Sequence, residues 1–145
     1  MINMKKALFF TPMLLLLFQC GQEMTEADLG EKTEISIKPM HSNKTAKLGN
    51  TYNAGEVVKG EKIRAKFEIT NEGDIPLIIN KIKPGCGCTN ATEAPENPIK
   101  PGDSYTVTAE VATVNFINGE IKKKLILDAN VDPYPLELFI VANIK

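Results

Sequence analysis

One histidine, no tryptophan and no concentrated run of either charge narrow what this chain can do before any motif is read. A Ser-His-Asp site would have to use His41, which stands in the polar stretch His41-Ser42-Asn43-Lys44-Thr45, a loop by composition. There is no paired-histidine metal motif and no glycine-rich phosphate loop. Formal net charge is −1, from 17 Lys and Arg against 18 Asp and Glu. Nucleic-acid binding asks for a concentrated basic face, so that partner class is excluded. Without tryptophan there is no Cys…Trp…Cys framework of the antibody type. No segment sustains a helical hydrophobic period, which excludes a helical domain. Carboxylates are plentiful but scattered, and the reading is of a protein that is not an enzyme.

Long apolar runs are also scarce, and the one present is at the N-terminus. Met4-Lys5-Lys6 gives a short positive region, followed by a nearly continuous apolar run of about 12 residues from Ala7 to Phe18, too short to span a bilayer but right for a signal-peptide core. It ends at Leu17-Phe18-Gln19-Cys20-Gly21, which resembles a bacterial lipobox. Leu17 fits the apolar position; Gln19 departs from the small residue usual before the cysteine. The expectation is a signal peptide over residues 1–19, cleavage before Cys20 and a covalent lipid on that cysteine. The lipid would tie the protein to a membrane of the cell envelope, at the outer membrane or facing the periplasm.

Cysteine arithmetic agrees. The three cysteines are Cys20, Cys86 and Cys88, an odd count that would leave a free thiol in an exported protein. A lipid on Cys20 leaves an even pair in a compartment where disulfides persist. Removing residues 1–19 deletes Lys5 and Lys6 and no acid, which moves the formal charge from −1 to −3.

Residues 20–47 read as a tether, polar and acidic at first, in which Glu34-Ile35-Ser36-Ile37-Lys38 alternates enough to add an edge strand before Pro39 ends it. Residues 48–145 read as strands and turns. Thr51 to Val58 carries a bend at Ala54-Gly55. Ile63 to Thr70 alternates cleanly, with Ile63, Ala65, Phe67 and Ile69 on one face. Asn71-Glu72-Gly73-Asp74 is a turn with Gly73 where positive φ is expected. Leu77 to Ile82 is a denser apolar run, expected to be central. Three prolines between Ala94 and Gly102 exclude a central strand there. Tyr105, Val107, Ala109 and Val111 alternate next; Asn118-Gly119 is a turn. Ile121, Leu125, Leu127 and Ala129 share a face, and after Asp132-Pro133-Tyr134-Pro135 so do Leu136, Leu138, Ile140 and Ala142. About seven short strands with regular turn signals predict an all-β, immunoglobulin-like β-sandwich. Lys122-Lys123-Lys124 reads as a solvated edge that discourages sheet-to-sheet aggregation. The sequons Asn43-Lys44-Thr45 and Asn90-Ala91-Thr92 are set aside, because the leader is of bacterial type.

The series Phe67-Glu68-Ile69-Thr70-Asn71-Glu72-Gly73, Pro76-Leu77-Ile78-Ile79, Cys86-Gly87-Cys88-Thr89 and Pro98-Ile99-Lys100-Pro101-Gly102 resembles the bacterial domain of unknown function family 1573. The resemblance runs from Leu48 to the end of the chain. It implies an Ig-like domain of exported lipoproteins, frequent in Bacteroidota, and supplies no activity. Gly85 stands where such domains often carry serine.

Cys86 and Cys88 are the candidate chemistry. In an extended strand residues i and i+2 lie near 7 Å apart at Cα, whereas a relaxed disulfide needs about 4.4–6.8 Å. Bonding across Gly87 therefore asks for a bend, which Gly87 and Pro84-Gly85 permit. Three readings stay open. The pair is structural, as buried thiols or a small disulfide holding a loop; or it is a thiol redox site, with Lys81 and Lys83 the only local cations; or it holds a soft metal such as Cu(I), with His41, Met24 or Met40 the weak additional donors. The leading expectation is an exported, lipid-anchored, non-catalytic binding or scaffolding module with a protein partner. The competing one is thiol redox or soft-metal (copper) handling.

Overall fold

The computed structural model describes residues 31–40 and 49–145. Eight strands follow one another: β1 (Ile35–Met40), β2 (Thr51–Val57), β3 (Lys62–Asn71), β4 (Ile79–Pro84), β5 (Thr89–Ala91), β6 (Ser104–Ala112), β7 (Gly119–Ala129) and β8 (Leu136–Ile144). They form two four-stranded sheets, β1-β3-β6-β5 and β2-β8-β7-β4. The pairing is antiparallel throughout except for β2 alongside β8. No helix occurs among the described residues. The expected all-β sandwich is what forms, with eight strands where about seven were read. The tether segment supplies β1. Cys20, Met24, His41 and the sequon at Asn43 lie outside the described residues, as does the expected signal peptide.

Period-two patterning builds both sheets. On β3, Ile63, Ala65, Phe67 and Ile69 are buried while Arg64 and Lys66 are exposed. Val107, Ala109 and Val111 of β6 continue that inner face. Leu125, Leu127 and Ala129 of β7 oppose them from the second sheet, with Leu136, Leu138, Ile140, Ala142 and Ile144 of β8. Tyr52 of β2 meets Phe67 across the sandwich edge-to-face, ring centres 6.3 Å apart. Each fully buried Leu, Ile or Phe stabilises by roughly 1.5–3 kcal/mol, so this interleaved core is the main force holding the two sheets together.

Three local expectations are corrected. The Leu77–Ile82 run is not central: Leu77 makes an isolated bridge with Ile99, and β4 lies at the edge of its sheet. Its apolar density comes from Leu77 and Ile79, which turn into the core, while Ile78 is exposed. Pro39 does not end β1 but pairs with Phe67 inside it, which an edge strand tolerates because its outward side needs no N–H. Gly73 does not have positive φ. It is glycine because a Cβ would collide with the Thr33 side chain, so the constraint is space rather than backbone angle. The bend at Ala54-Gly55 is present: the β2–β8 register shifts between Asn53 and Glu56, and Gly55 has φ 72°.

The sandwich has two distinct ends. At one, Asn71 is fully buried and fully satisfied. Its Oδ1 accepts from Thr33 Oγ1 (2.8 Å) and Gly73 N (3.2 Å), and its Nδ2 donates to the carbonyls of Ile75 (2.8 Å) and Ile99 (3.0 Å). Buried Asn130 does the same beside it, accepting from Ile78 N and donating to the carbonyls of Glu31 and Pro76. Thr33 N–H donates to the Asn130 carbonyl, so the N-terminal segment enters the fold here. At the other end lie the β2–β3 turn, the β4–β5 turn, the β6–β7 loop and Lys145. Thr113 Oγ1 joins two of these by accepting from Gly60 N and donating to the Glu61 carbonyl, and Lys59 N donates to the Lys145 carbonyl.

Candidate functional site

The Cys86 and Cys88 pair sits where the chain changes sheets. Gly85 N donates to the Lys124 carbonyl at 2.9 Å, the last bond to β7. A turn follows, in which Thr89 N donates to the Cys86 carbonyl at 3.3 Å. Ala112 N then donates to the Cys88 carbonyl at 3.0 Å, and β5 begins against β6 in the opposite sheet. The turn brings the two Cα atoms to 5.4 Å, and a Cys86–Cys88 disulfide closes it. This is the bend that the spacing required.

The two glycines contribute differently from expectation. A Cβ on Gly87 would meet nothing within 4 Å, and its φ is not left-handed, so the residue between the cysteines is sterically free. A Cβ on Gly85 would stand 2.9 Å from Lys124 Cγ and 3.1 Å from its carbonyl oxygen. Gly85 is thus the glycine that the turn needs, for close approach to β7. Both sulfurs belong to half-buried residues. Thr89, itself buried, places Oγ1 3.4 Å from Cys86 Sγ and 3.8 Å from Cys88 Sγ, so its hydroxyl caps the bond from the core side. The sequence places Thr89 in the Cys86-Gly87-Cys88-Thr89 motif but gives its hydroxyl no role; a polar residue immediately after the second cysteine was the available signal.

Of the proposed extra donors only Met40 is among the described residues, and it does not reach the pair. Met40 lies on β1, separated from β5 by β3 and β6. Among the described residues no group of three or more His, Cys, Asp or Glu side chains is placed to hold a metal. Lys81 and Lys83 are exposed on β4.

Two features around the turn escaped the sequence. First, Val58, Val114 and Ile117 are exposed at this end, Ile117 at 85%, beside half-buried Phe116. An apolar residue next to the Asn118-Gly119 turn was the sequence signal for this. Second, the lysine run is an edge on one side only. β8 pairs with β7 from Gly119 to Leu127, whereas β4 covers it only from Leu125 to Ala129. Lys122 Nζ rests 4.0 Å from the Phe139 ring centre and Lys123 Nζ 4.4 Å from that of Phe116, while Lys124 Nζ bonds Glu137 Oε1 at 2.6 Å. A shallow groove on the outer face of this sheet is lined by Asn53, Glu56, Glu120, Lys122, Val141 and Asn143. It holds neither cysteine. On the other sheet, Glu110 bonds Lys62 at 2.6 Å and Arg64 at 3.2 Å. The Lys62 ammonium, and then the Arg64 guanidinium, hold its carboxyl below the usual carboxylate range.

Two four-stranded sheets, with the chain crossing from one to the other at the cysteine turn, make this an immunoglobulin-like β-sandwich. The family described as "Protein of unknown function (DUF1573)" matches residues 44–144, and the chain belongs to it. No curated protein matches the chain. Among solved structures it is similar to a protein of unknown function from Porphyromonas gingivalis W83, with TM-score 0.58 and 19% identity over 79% of this chain and 48% of that one. The chain thus spans about half of that relative. It is also similar to the ASH/PapD-like domain 7 of human CEP192 (TM-score 0.55, 8% identity, 92% and 98% covered). A third likeness is to the VesB protease of Vibrio cholerae (TM-score 0.52, 14% identity, 75% and 31% covered). At such identities the likeness shows the fold alone.

Proposed function

We propose that this protein is an exported, lipid-anchored binding module of the cell envelope that holds a protein partner and performs no catalysis. One observation carries the reading: the two ends of the sandwich are specialised in opposite ways. The N-terminal segment enters beside Asn71 and Asn130, where every polar group of both side chains is satisfied. The far end carries the cysteine turn and exposed Val58, Val114 and Ile117. A lipid on Cys20 would hold the first end towards the membrane and present the second to the envelope space. A small sandwich works through such loops and edges. The covalent lipid is the only added group the reading calls for.

Membrane fractionation of a Cys20→Ala protein tests the anchor: the variant is expected in the soluble envelope fraction, and retention in the membrane sinks the lipoprotein reading. Photo-crosslinking from position 117 in cells tests the module, with a discrete adduct expected at the cysteine end. The competing reading, thiol redox or soft-metal handling, rests on the half-buried Cys86–Cys88 pair. Loss of the adduct in a Cys86→Ser/Cys88→Ser protein that still folds would favour it; an unchanged adduct eliminates it.

A further inference from the structure

Among the described residues, the cysteine turn leaves a strand edge uncovered. After Gly85 bonds to Lys124 the chain departs for the other sheet, and β7 runs on to Gly119 with β8 on one side only. The pairing fixes which backbone groups face outward. Phe139 N–H donates to the Asn50 carbonyl at 2.7 Å, away from β7. Its cross-strand partner Lys124 therefore directs its own N–H and C=O away from β8, as the Gly85 bond confirms. Period two then turns the N–H and C=O of Lys122 and Glu120 into the open edge.

The four strands at the sheet edges among the described residues are each interrupted or short. β1 contains Pro39, β2 is bulged between Asn53 and Glu56, β4 shifts register between Ile79 and Lys81 and ends in Pro84, and β5 has three residues. These are the devices that keep edges from pairing. Glu120 to Lys124 has three lysines, but none lies along the edge backbone: Lys122 leans on Phe139 and Lys124 on Glu137, both over β8, and Lys123 leans on Phe116 of the β6–β7 loop. The backbone they would shield is left open.

We propose that this edge binds an extended acidic peptide of a protein partner as an added strand. The proposal rests on the binding-module reading and names the surface and partner chemistry for it. Beside the slot the outer face carries exposed Lys122 and Lys124, which lean towards β8 with Lys124 paired to Glu137, and Glu120 at its far end; exposed Lys83 and Lys81 on β4 continue the basic stretch. The inner side presents half-buried Ile121, then Lys123 with its ammonium on the half-buried Phe116 ring, with exposed Ile117 and Val114 beyond. An added strand alternating acidic and apolar residues matches both faces at once, carboxylates towards the lysines and apolar side chains towards Ile121 and Phe116. A second copy is the poorer occupant, because antiparallel β7–β7 pairing sets lysine run against lysine run.

The test titrates the full-length chain, in detergent micelles, with acetyl-Val-Glu-Val-Glu-Val-Glu-Val-amide and follows backbone amides by NMR. Saturable shifts are expected at Ile117 and from Glu120 to Lys124, with exchange of the Glu120 and Lys122 amides slowed at least about tenfold at saturation. N-methylation of alternate peptide amides, or Lys122→Pro, which removes one outward N–H and no bond to β8, should each weaken binding at least about tenfold. A dispersed spectrum shows that the proline variant still folds. Absence of binding, shifts confined to the Asn53–Asn143 groove, equal binding of the lysine-for-glutamate peptide, or a dimer formed through β7 would each overturn the assignment. Crosslinking from position 117 judges the binding-module reading separately, so an adduct without peptide binding moves the partner off this edge and leaves that reading in place.

Discussion

Asn71 shows how much one buried polar side chain can organise. Its four hydrogen bonds tie β3 to Thr33, to the loop before β4 and to Ile99. Asn71→Ala would remove all four bonds at a buried site, each costing on the order of 1 kcal/mol, even though Gly73 N keeps the Glu34 carbonyl, the Ile99 carbonyl keeps Leu77 N and Thr33 Oγ1 keeps the Ile75 carbonyl. The variant is expected to lose about 3 kcal/mol in urea unfolding, whereas a surface change such as Lys66→Ala should stay within about 0.5 kcal/mol. Glu110 makes the opposite case, a strong-looking contact in an exposed place. Lys62 and Arg64 lower its folded pKa, so the ionised form favours the native state. That contribution is complete above the ordinary carboxylate pKa and disappears as pH falls through the depressed folded value. The wild type should therefore exceed Glu110→Gln in urea midpoint at neutral pH, and the gap should close in acid. A gap that is constant with pH would remove the ion pairs as its cause. Because these groups face solvent, the gap should also shrink in high salt.

At the scale of the element, the cysteine turn separates a glycine that is needed from one that is not. Gly85→Val must push against the Lys124 backbone, and a loss of roughly 1–3 kcal/mol is expected from thermal unfolding. Gly87→Ala meets open space and should be near neutral. The bond itself closes a loop of three residues, so Cys86→Ser/Cys88→Ser should cost at most about 2 kcal/mol. A larger loss would mean that the turn nucleates the sheet crossover. Much of this element was legible in advance. Alternation placed β3, β6, β7 and β8, because a half-buried strand records its two faces in every second residue. The Cys-Gly-Cys spacing required a bend, and one is present. Strand order was not legible: a dense run such as Leu77–Ile82 reads the same at a sheet centre and at an edge facing a well-packed core. Nor could the sequence give the Gly85–Lys124 approach or the open side of β7, since both depend on where the chain leaves the sheet.

For the whole molecule, the question is where the folded unit begins. The family match starts at residue 44 and the strand-and-turn pattern near residue 48, yet the sandwich extends upstream of both. β1 pairs with β3 from Ile35↔Asn71 to Met40↔Lys66, Ile35 and Ile37 pack on the core, and Thr33 reaches both Asn71 and Asn130. Without this segment β3 becomes the edge of its sheet, and nine residues of well-formed ladder with β6 on one side would face water on the other. That edge is long and, unlike β1, carries no proline. Two consequences separate a packed strand from a loosely attached one. A chain begun at residue 49 should be less stable than one begun at residue 31 by more than about 2 kcal/mol, from lost apolar burial and the lost Thr33 bond to Asn71. It should also self-associate through the bare β3 edge, seen as concentration-dependent sedimentation that adding a peptide spanning residues 31–41 suppresses. Equal stability and a monomeric short chain would show that β1 is dispensable, and that residues 31–40 serve the anchor rather than the fold.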